Sequence, residues 1–294
     1  MCAAEAGCRE APFKRIFAPP APPDEKAESL DTGGAASNYM KGNQMRKSIL
    51  GLSAVLFATV ATPALAQDED ASGITVSGGA AVVSDYRFRG ISQTDKRFAV
   101  QGTVSVAHES GLYATVWGSS IDDYVAAGSD TELDLIAGYK KAFGPATVDV
   151  GVLYYYYPGS GGADTDFFEP YASVSYAMGP VTGKVGAAYA PKQHAIAAFN
   201  ERDDNLYLYG DLSAAVPNTP LSVSAHVGHS DGRSLLTNGL QDYWDWNIGA
   251  SYTWNKLTFG VSYVDTDIKD SEFVTPSGRN AAKAGVVGSV SVAF

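Results

Sequence analysis

The chain has 294 residues, with 21 Lys and Arg against 32 Asp and Glu, a formal net charge of −11. So acidic a chain is a poor nucleic-acid partner, because binding phosphates needs clustered cations. No stretch reaches the ~18 apolar residues of a membrane helix. Cys2 and Cys8 both lie near the N-terminus, which leaves the remainder without disulfide, thiolate or cysteine–metal chemistry.

Residues 1–44, rich in Pro, Ala and charge, read as an over-extended gene start or a disordered leader. Met45-Arg46-Lys47-Ser48 opens a basic n-region, Ile49 to Ala61 is an apolar h-region, and Ala64-Leu65-Ala66 is a small-x-small cleavage signal before Gln67. Residues 45–66 are thus a secretory signal peptide. Removing residues 1–66 takes away seven basic and six acidic residues and leaves 14 against 26, a net charge of −12. Both cysteines go with them, and no later Cys exists to carry a lipid anchor.

Residues 67–294 read as one domain of short alternating strands. The first candidate is Ile74 to Val83 and the second Phe98 to His108, where Val100, Val104 and Val106 oppose Gln101, Thr103 and Ser105. The third, Leu112 to Ser120, has two competing parities: Tyr113, Thr115 and Trp117 against Leu112, Ala114 and Val116. Strands four to nine follow at Thr131–Phe143, Thr147–Tyr157, Phe168–Met178, Val181–Ala190, Asn205–Val216 and Leu221–Ser230. The clearest hairpin comes next. Trp244, Trp246, Ile248, Ala250, Tyr252 and Trp254 alternate with Asp245, Asn247, Gly249, Ser251 and Thr253; Asn255-Lys256 turns the chain; Leu257, Phe259, Val261 and Tyr263 continue the apolar face. Lys283 to Phe294 is the twelfth strand.

An apolar face with bulky aromatics at the strand ends, opposite a face of Ser, Thr, Gly and Asp, is the pattern of a lipid-facing barrel strand. The connections alternate between two to five residues and longer Asp/Gly/Ser-rich loops, as in an even-stranded barrel with short periplasmic turns. The expected fold is an all-β, antiparallel up-and-down transmembrane β-barrel of about 12 strands. The final strand places Gly288, Val290, Val292 and the terminal Phe294 on one face. This resembles the signal read by the barrel assembly machinery of bacterial outer membranes.

Between the first two strands runs Ser84-Asp85-Tyr86-Arg87-Phe88-Arg89-Gly90-Ile91-Ser92-Gln93-Thr94. This run resembles the opening motif of the TorF-type porin family of proteobacterial outer-membrane proteins. The likeness continues through Val100-Gln101-Gly102, Ser110-Gly111-Leu112-Tyr113-Ala114, Val116-Trp117-Gly118-Ser119 and Glu132-Leu133-Asp134-Leu135-Ile136-Ala137-Gly138-Tyr139. It thins beyond that but extends to Phe294. The resemblance implies a barrel and an outer-membrane location more firmly than an activity.

Inward parity names the pore-lining candidates: Asp211, Asp134, Asp149, Asp245, Lys140, Lys184, Arg87 and Arg89. Lys140 and Asp149 fall opposite each other across the Gly144-Pro145 turn and neutralise one another. Asp134 and Asp245 fall near the outer mouth. Asp211 falls near mid-depth, either as a field for cations or paired with Lys184 or Arg87. Arg87, Arg89 and Arg97 form either a basic cluster that folds inward or meets lipid phosphate, or rim cations paired with Asp85, Asp95 and loop acids.

Enzyme chemistry finds little support. His226 and His229 are three apart on a strand and face opposite sides, so they cannot chelate one metal there. Ser lies near both, without a G-x-S-x-G elbow. Asp122-Asp123 and Asp203-Asp204 lack a spaced Ca²⁺ loop. No cofactor or metal is implied. The expected function is that of a porin, a narrow bore for passive diffusion of small cationic or neutral solutes, in a barrel that contacts outer-membrane lipid. The alternatives are a closed structural or adhesion barrel acting through its long loops and, least, an outer-membrane enzyme. Mass spectrometry of the membrane form is expected to find a chain beginning at Gln67; a form retaining Cys2 and Cys8 overturns the signal-peptide reading.

Overall fold

The computed structural model describes residues 73–269 and 271–294. The expected leader and signal peptide lie outside the described residues. The strands, in chain order, are β1 (Ile74–Val83), β2 (Ala99–His108), β3 (Leu112–Ser120), β4 (Thr131–Phe143), β5 (Ala146–Tyr156), β6 (Phe167–Met178), β7 (Val181–Gln193), β8 (Asp203–Ala215), β9 (Leu221–Asp231), β10 (Asp242–Trp254), β11 (Leu257–Thr266) and β12 (Gly285–Ala293). Each pairs antiparallel with its sequence neighbour and β12 returns to β1, so the sheet closes into a barrel. Closure leaves no strand edge, which hydrocarbon would not tolerate.

At the seam, Gly78 N–H donates to the Phe294 carbonyl at 2.8 Å and Phe294 N–H donates back at 2.9 Å. The Phe294 ring fills the space beside Gly78, where a Cβ would come 2.7 Å from its Cε2. β7 and β8 run past the ends expected from alternation because a register irregularity between Asp203 and Asn205 interrupts their parity.

The barrel is apolar outside. Val104, Val116, Leu135, Val174, Val185, Leu212 and Val261 form the middle of the exposed surface. Tyr154, Tyr156, Phe168, Tyr189, Trp244 and Tyr263 ring the long-loop end, and Phe143, Tyr176, Tyr252, Trp254 and Phe259 ring the short-turn end. Two aromatic girdles around an aliphatic band match the two interfaces and the core of a bilayer. The parity of β3 is settled: Leu112 and Val116 face out, and Trp117 faces in, where it meets the Tyr86 ring edge-on at 5.4 Å.

Inside, the walls differ. On β9 to β12 the inward residues toward the short turns are small or hydroxylated, among them Ser224, Gly249, Ser251, Ser262 and Ser289. On β3 to β8 tyrosines lie across inward glycines of the neighbouring strand. A Cβ on Gly138 would meet Tyr113 at 2.6 Å, and one on Gly151 would meet the Tyr171 hydroxyl at 2.6 Å. The missing side chains are what let the rings lie flat on the wall.

Ile248, mid-strand on β10, is 62% exposed on the outside, whereas Asn247 faces in. Ile248→Arg is expected to cost about 2–4 kcal/mol, the depth-dependent penalty for a cation in hydrocarbon. Asn247→Arg should cost far less in the same urea refolding titration; equal losses would mean that both faces are dry.

Candidate functional site in the barrel lumen

The loop between β1 and β2 does not stay at the surface. Its residues Arg87–Phe88 pair with Ile91–Ser92 as a small inner hairpin. The two turn residues, Arg89 at φ 46° and Gly90 at φ 80°, both lie in the left-handed region, as a tight two-residue hairpin turn requires. Gly is at ease there, but Arg is strained, by roughly 1 kcal/mol or more. A Cβ on Gly90 would collide with the Thr266 side chain and come 3.0 Å from Asp245 Cβ, so the tip is pressed against the β10–β11 wall.

What holds Arg89 in this strained place is the opposite side of the lumen. Its Nη2 donates to both carboxylate oxygens of Glu169 on β6, at 2.6 and 2.7 Å, and its Nη1 donates to Asn205 Oδ1 on β8 at 3.0 Å. The guanidinium carbon sits 4.1 Å from the Tyr207 ring centre and 4.7 Å from that of Phe88. The Tyr243 hydroxyl on β10 donates to the Arg89 carbonyl at 3.1 Å. Such a charge-assisted pair, one nitrogen shared between two carboxylate oxygens, is a strong kind of hydrogen bond. Once buried, it is also the kind whose rupture is costly, since a lone charge remains.

The rest of the hairpin is tied as firmly. Tyr86 donates to Glu132 Oε1 on β4 at 2.7 Å. Arg87 Nε pairs with Asp85 Oδ2 at 2.6 Å, and its Nη1 donates to the carbonyls of Gly90, Ala281 and Lys283. Phe88 meets the Tyr155 ring edge-on at 5.9 Å, and Tyr155 stacks on Phe167. The outer half of the lumen is therefore filled by the hairpin, which touches β3 to β6, β8, β10 and β11. The lining of the other half, including Ser213, Ser224, Asn247, Ser251 and Ser262, stays partly exposed.

The candidate residues fall into two groups. Arg87, Arg89, Asp134 and Asp245 are buried in the filled half rather than placed at an open mouth. Asp134 is 5% exposed, and among the described residues its Oδ1 finds no hydrogen-bond partner. Lys140, Asp149, Lys184 and Asp211 face the wetter half. Lys140 Nζ lies 3.8 Å from Asp149 Oδ2, and Tyr113 also donates to Asp149, at 2.7 Å.

Asp211 has a partner that differs from both expected ones. It is in register with Lys184 on β7 and His226 on β9, and its carboxylate turns to His226 Nδ1 at 2.6 Å. Lys184 lies over the Tyr209 ring instead, at 5.0 Å, and Arg87 is occupied on the hairpin. His226 Nε2 lies 3.2 Å from Asp245 Oδ1 and 2.8 Å from the Tyr207 hydroxyl, so one imidazole joins two carboxylates on neighbouring strands. His229 faces the other way, against Trp244.

The sequence reading also missed Glu169, Asn205, Tyr207 and Tyr243 as the hairpin's seat. A cue was present in Phe88-Arg89-Gly90-Ile91, a two-residue turn with Gly second between apolar residues. Arg97 stays at the rim, where it pairs with Asp122 and lies 3.6 Å from Asp95. Asp95 joins the β1–β2 loop to the β11–β12 loop. It accepts from Thr275 and Ser277 at 2.8 and 2.9 Å and pairs with Arg279 Nη1 at 2.9 Å.

Residues 67–294 match the model of a family described as "Bacterial protein of unknown function (Gcw_chp)". The barrel is similar to a solved NanC porin structure, with 13% identity and a TM-score of 0.52 over 75% of this chain and 99% of that one. The outer membrane channel DcaP of Acinetobacter baumannii shows 9% identity and a TM-score of 0.42 over 78% of this chain and 100% of its own. An outer membrane channel from Pseudomonas putida F1 shows 10% and 0.43 over 74% and 94%. Likeness at these identities is one of fold. None of the curated proteins matches the chain. Fold and apolar exterior together make this a barrel of the bacterial outer membrane.

The loop latch at Asp95 responds to acid. Burial works against its ionisation, but hydrogen bonds from Ser277 and Thr275 and the charges of Arg279 and Arg97 outweigh this and hold its carboxyl below the usual aspartate range. A depressed folded value means that the latch is fully present above an unfolded aspartate's pKa of about 3.9 and is lost as pH falls through the lower folded value. Hydrogen exchange of the two loops is expected to stay slow at pH 5 and to accelerate only well below pH 4. Asp95→Asn should show fast exchange already at pH 7.

Proposed function

We propose that this chain, which belongs to the Gcw_chp family of bacterial proteins of unknown function, is an outer-membrane porin. It passes small neutral or cationic solutes through a bore narrowed by its own inner hairpin. The observation that carries this reading is the lumen's asymmetry: a hydroxyl-lined, partly exposed periplasmic half beneath an outer half filled by the inner hairpin, with Ile121, Ala126, Ile196 and Ile268 of neighbouring loops clustered against it. About eight strands leave an interior that side chains can fill and 16 to 18 leave a wide channel, so this barrel lies between. The likeness of Ser84 to Thr94 to TorF-type porins supports the same reading, as does the absence of any nucleophile motif for catalysis. Phe294 at the seam supports recognition of β12 by the assembly machinery.

The firm seating of the hairpin favours a second reading, a barrel that stays closed and acts through its loops. Planar bilayers separate the two: the porin gives small ohmic steps, and the closed barrel gives none. Charge preference follows from Asp211, whose side chain is 37% exposed and which shares the one imidazole of His226 with Asp245, whereas Asp149 is buried between Lys140 and Tyr113. A carboxylate in a narrow wet bore gathers cations. Reversal potentials in a salt gradient are expected to show cation preference, reduced more by Asp211→Asn than by Asp149→Asn. An anion-preferring wild type would overturn this assignment.

A further inference from the structure

The groups that bind Arg89 belong to the wall, and each of them is also bonded to a neighbour in the wall. Glu169 Oε2 accepts a bond from Tyr155 at 3.2 Å, which leaves both its oxygens directed at the guanidinium. The Asn205 amide is oriented by two bonds. Its Nδ2 donates to the Asp231 carbonyl at 3.2 Å, and its Oδ1 accepts from Ser230 at 3.1 Å while facing Arg89. Tyr207 presents its ring face at 4.1 Å, with its hydroxyl anchored on Asp245 at 3.0 Å. A carboxylate meeting one nitrogen, an amide oxygen meeting another and an aromatic face lying along the plane of both recognise a planar guanidinium; an ammonium has one nitrogen and no plane.

One further observation distinguishes this site from a simple fastening. Arg89 occupies it from a strained backbone position, φ 46°, so the occupant is held at a cost and a free solute would not bear that cost.

We infer that Glu169, Asn205 and Tyr207 form a recognition site for small solutes bearing a guanidinium group, with Arg89 as its internal occupant. The solute displaces Arg89, the hairpin tip leaves the wall, and the bore widens. This rests on the porin reading, since it names the solute class for that bore.

The test uses the whole outer-membrane form, methylguanidinium as probe and methylammonium as control. Arg89→Asn removes the guanidinium while keeping a turn residue that favours the left-handed region ahead of Gly. In wild type, methylguanidinium is expected to speed tryptic cleavage at Lys96 and Arg97 by displacing Arg89, with methylammonium at least tenfold weaker. In Arg89→Asn the hairpin is cut faster from the start, methylguanidinium binds at least tenfold more tightly by calorimetry than to wild type, and adding Glu169→Gln abolishes that binding. Equal responses to both probes, or binding unaffected by Glu169→Gln, overturn the inference. Conductance is recorded in parallel. Silent bilayers with probe binding intact would reject the porin reading alone, and conducting bilayers without probe discrimination would reject the site alone. If Arg89→Asn does not fold, the wild-type displacement measurement decides by itself.

Discussion

Hydrocarbon offers no hydrogen-bond partner, and that constraint arranges everything else in this barrel. A strand exposed to lipid must satisfy each backbone group through its neighbours, so the sheet has to close. Closure turns the usual order inside out. Val, Leu and aromatic side chains go outside, and the Asp, Glu, Lys, Arg and His of the strands gather around a lumen. A polar interior has its own requirement, because polar groups shielded from water are stable only when partnered.

The inner hairpin meets much of that requirement. It brings Tyr86 to Glu132 and Arg89 to Glu169, and the walls receive it with Asn205, Tyr207 and Tyr243. Buried ion pairs add little net stability compared with apolar packing, yet they tolerate one geometry only. Their effect here is placement: two turn residues are fixed in a lumen that could otherwise accept many loop conformations. The wetter half solves the same problem differently, with hydroxyls that can bond to water, and the Asp211–His226–Asp245 bridge joins it to the filled half.

Most of the wall was legible because a period of two survives along each strand. The ends of β1, β3 and β4 coincide with those read from alternation, and the alternation of short and long connections is enough for an up-and-down barrel. The hairpin was not legible in that way. Strands of two residues are too short to show a period, and their partners are 80, 116 and 154 positions away. Asp211 illustrates a finer limit. Its inward parity was clear, but two neighbours compete for its carboxylate, and the choice of His226 over Lys184 depends on Tyr209 holding the lysine over its ring. Parity says which face a side chain takes; it does not say which way the side chain leans.

The seam has a kinetic meaning. β1 and β12 pair from Gly79 with Ala293 to Val83 with Ser289, and backbone bonds extend the seam to Gly78 with Phe294 and to Ser84 with Gly288, residues 204 apart in the chain. Every other junction joins strands adjacent in sequence. Those hairpins can zip as soon as their turns form, whereas the seam must wait for the two ends of the domain to meet, against the full entropy of the loop between them. The hairpin that follows β1 cannot find Glu169 or Tyr243 until that wall stands. The outer half of the lumen can therefore fill only once β6 and β10 are in place.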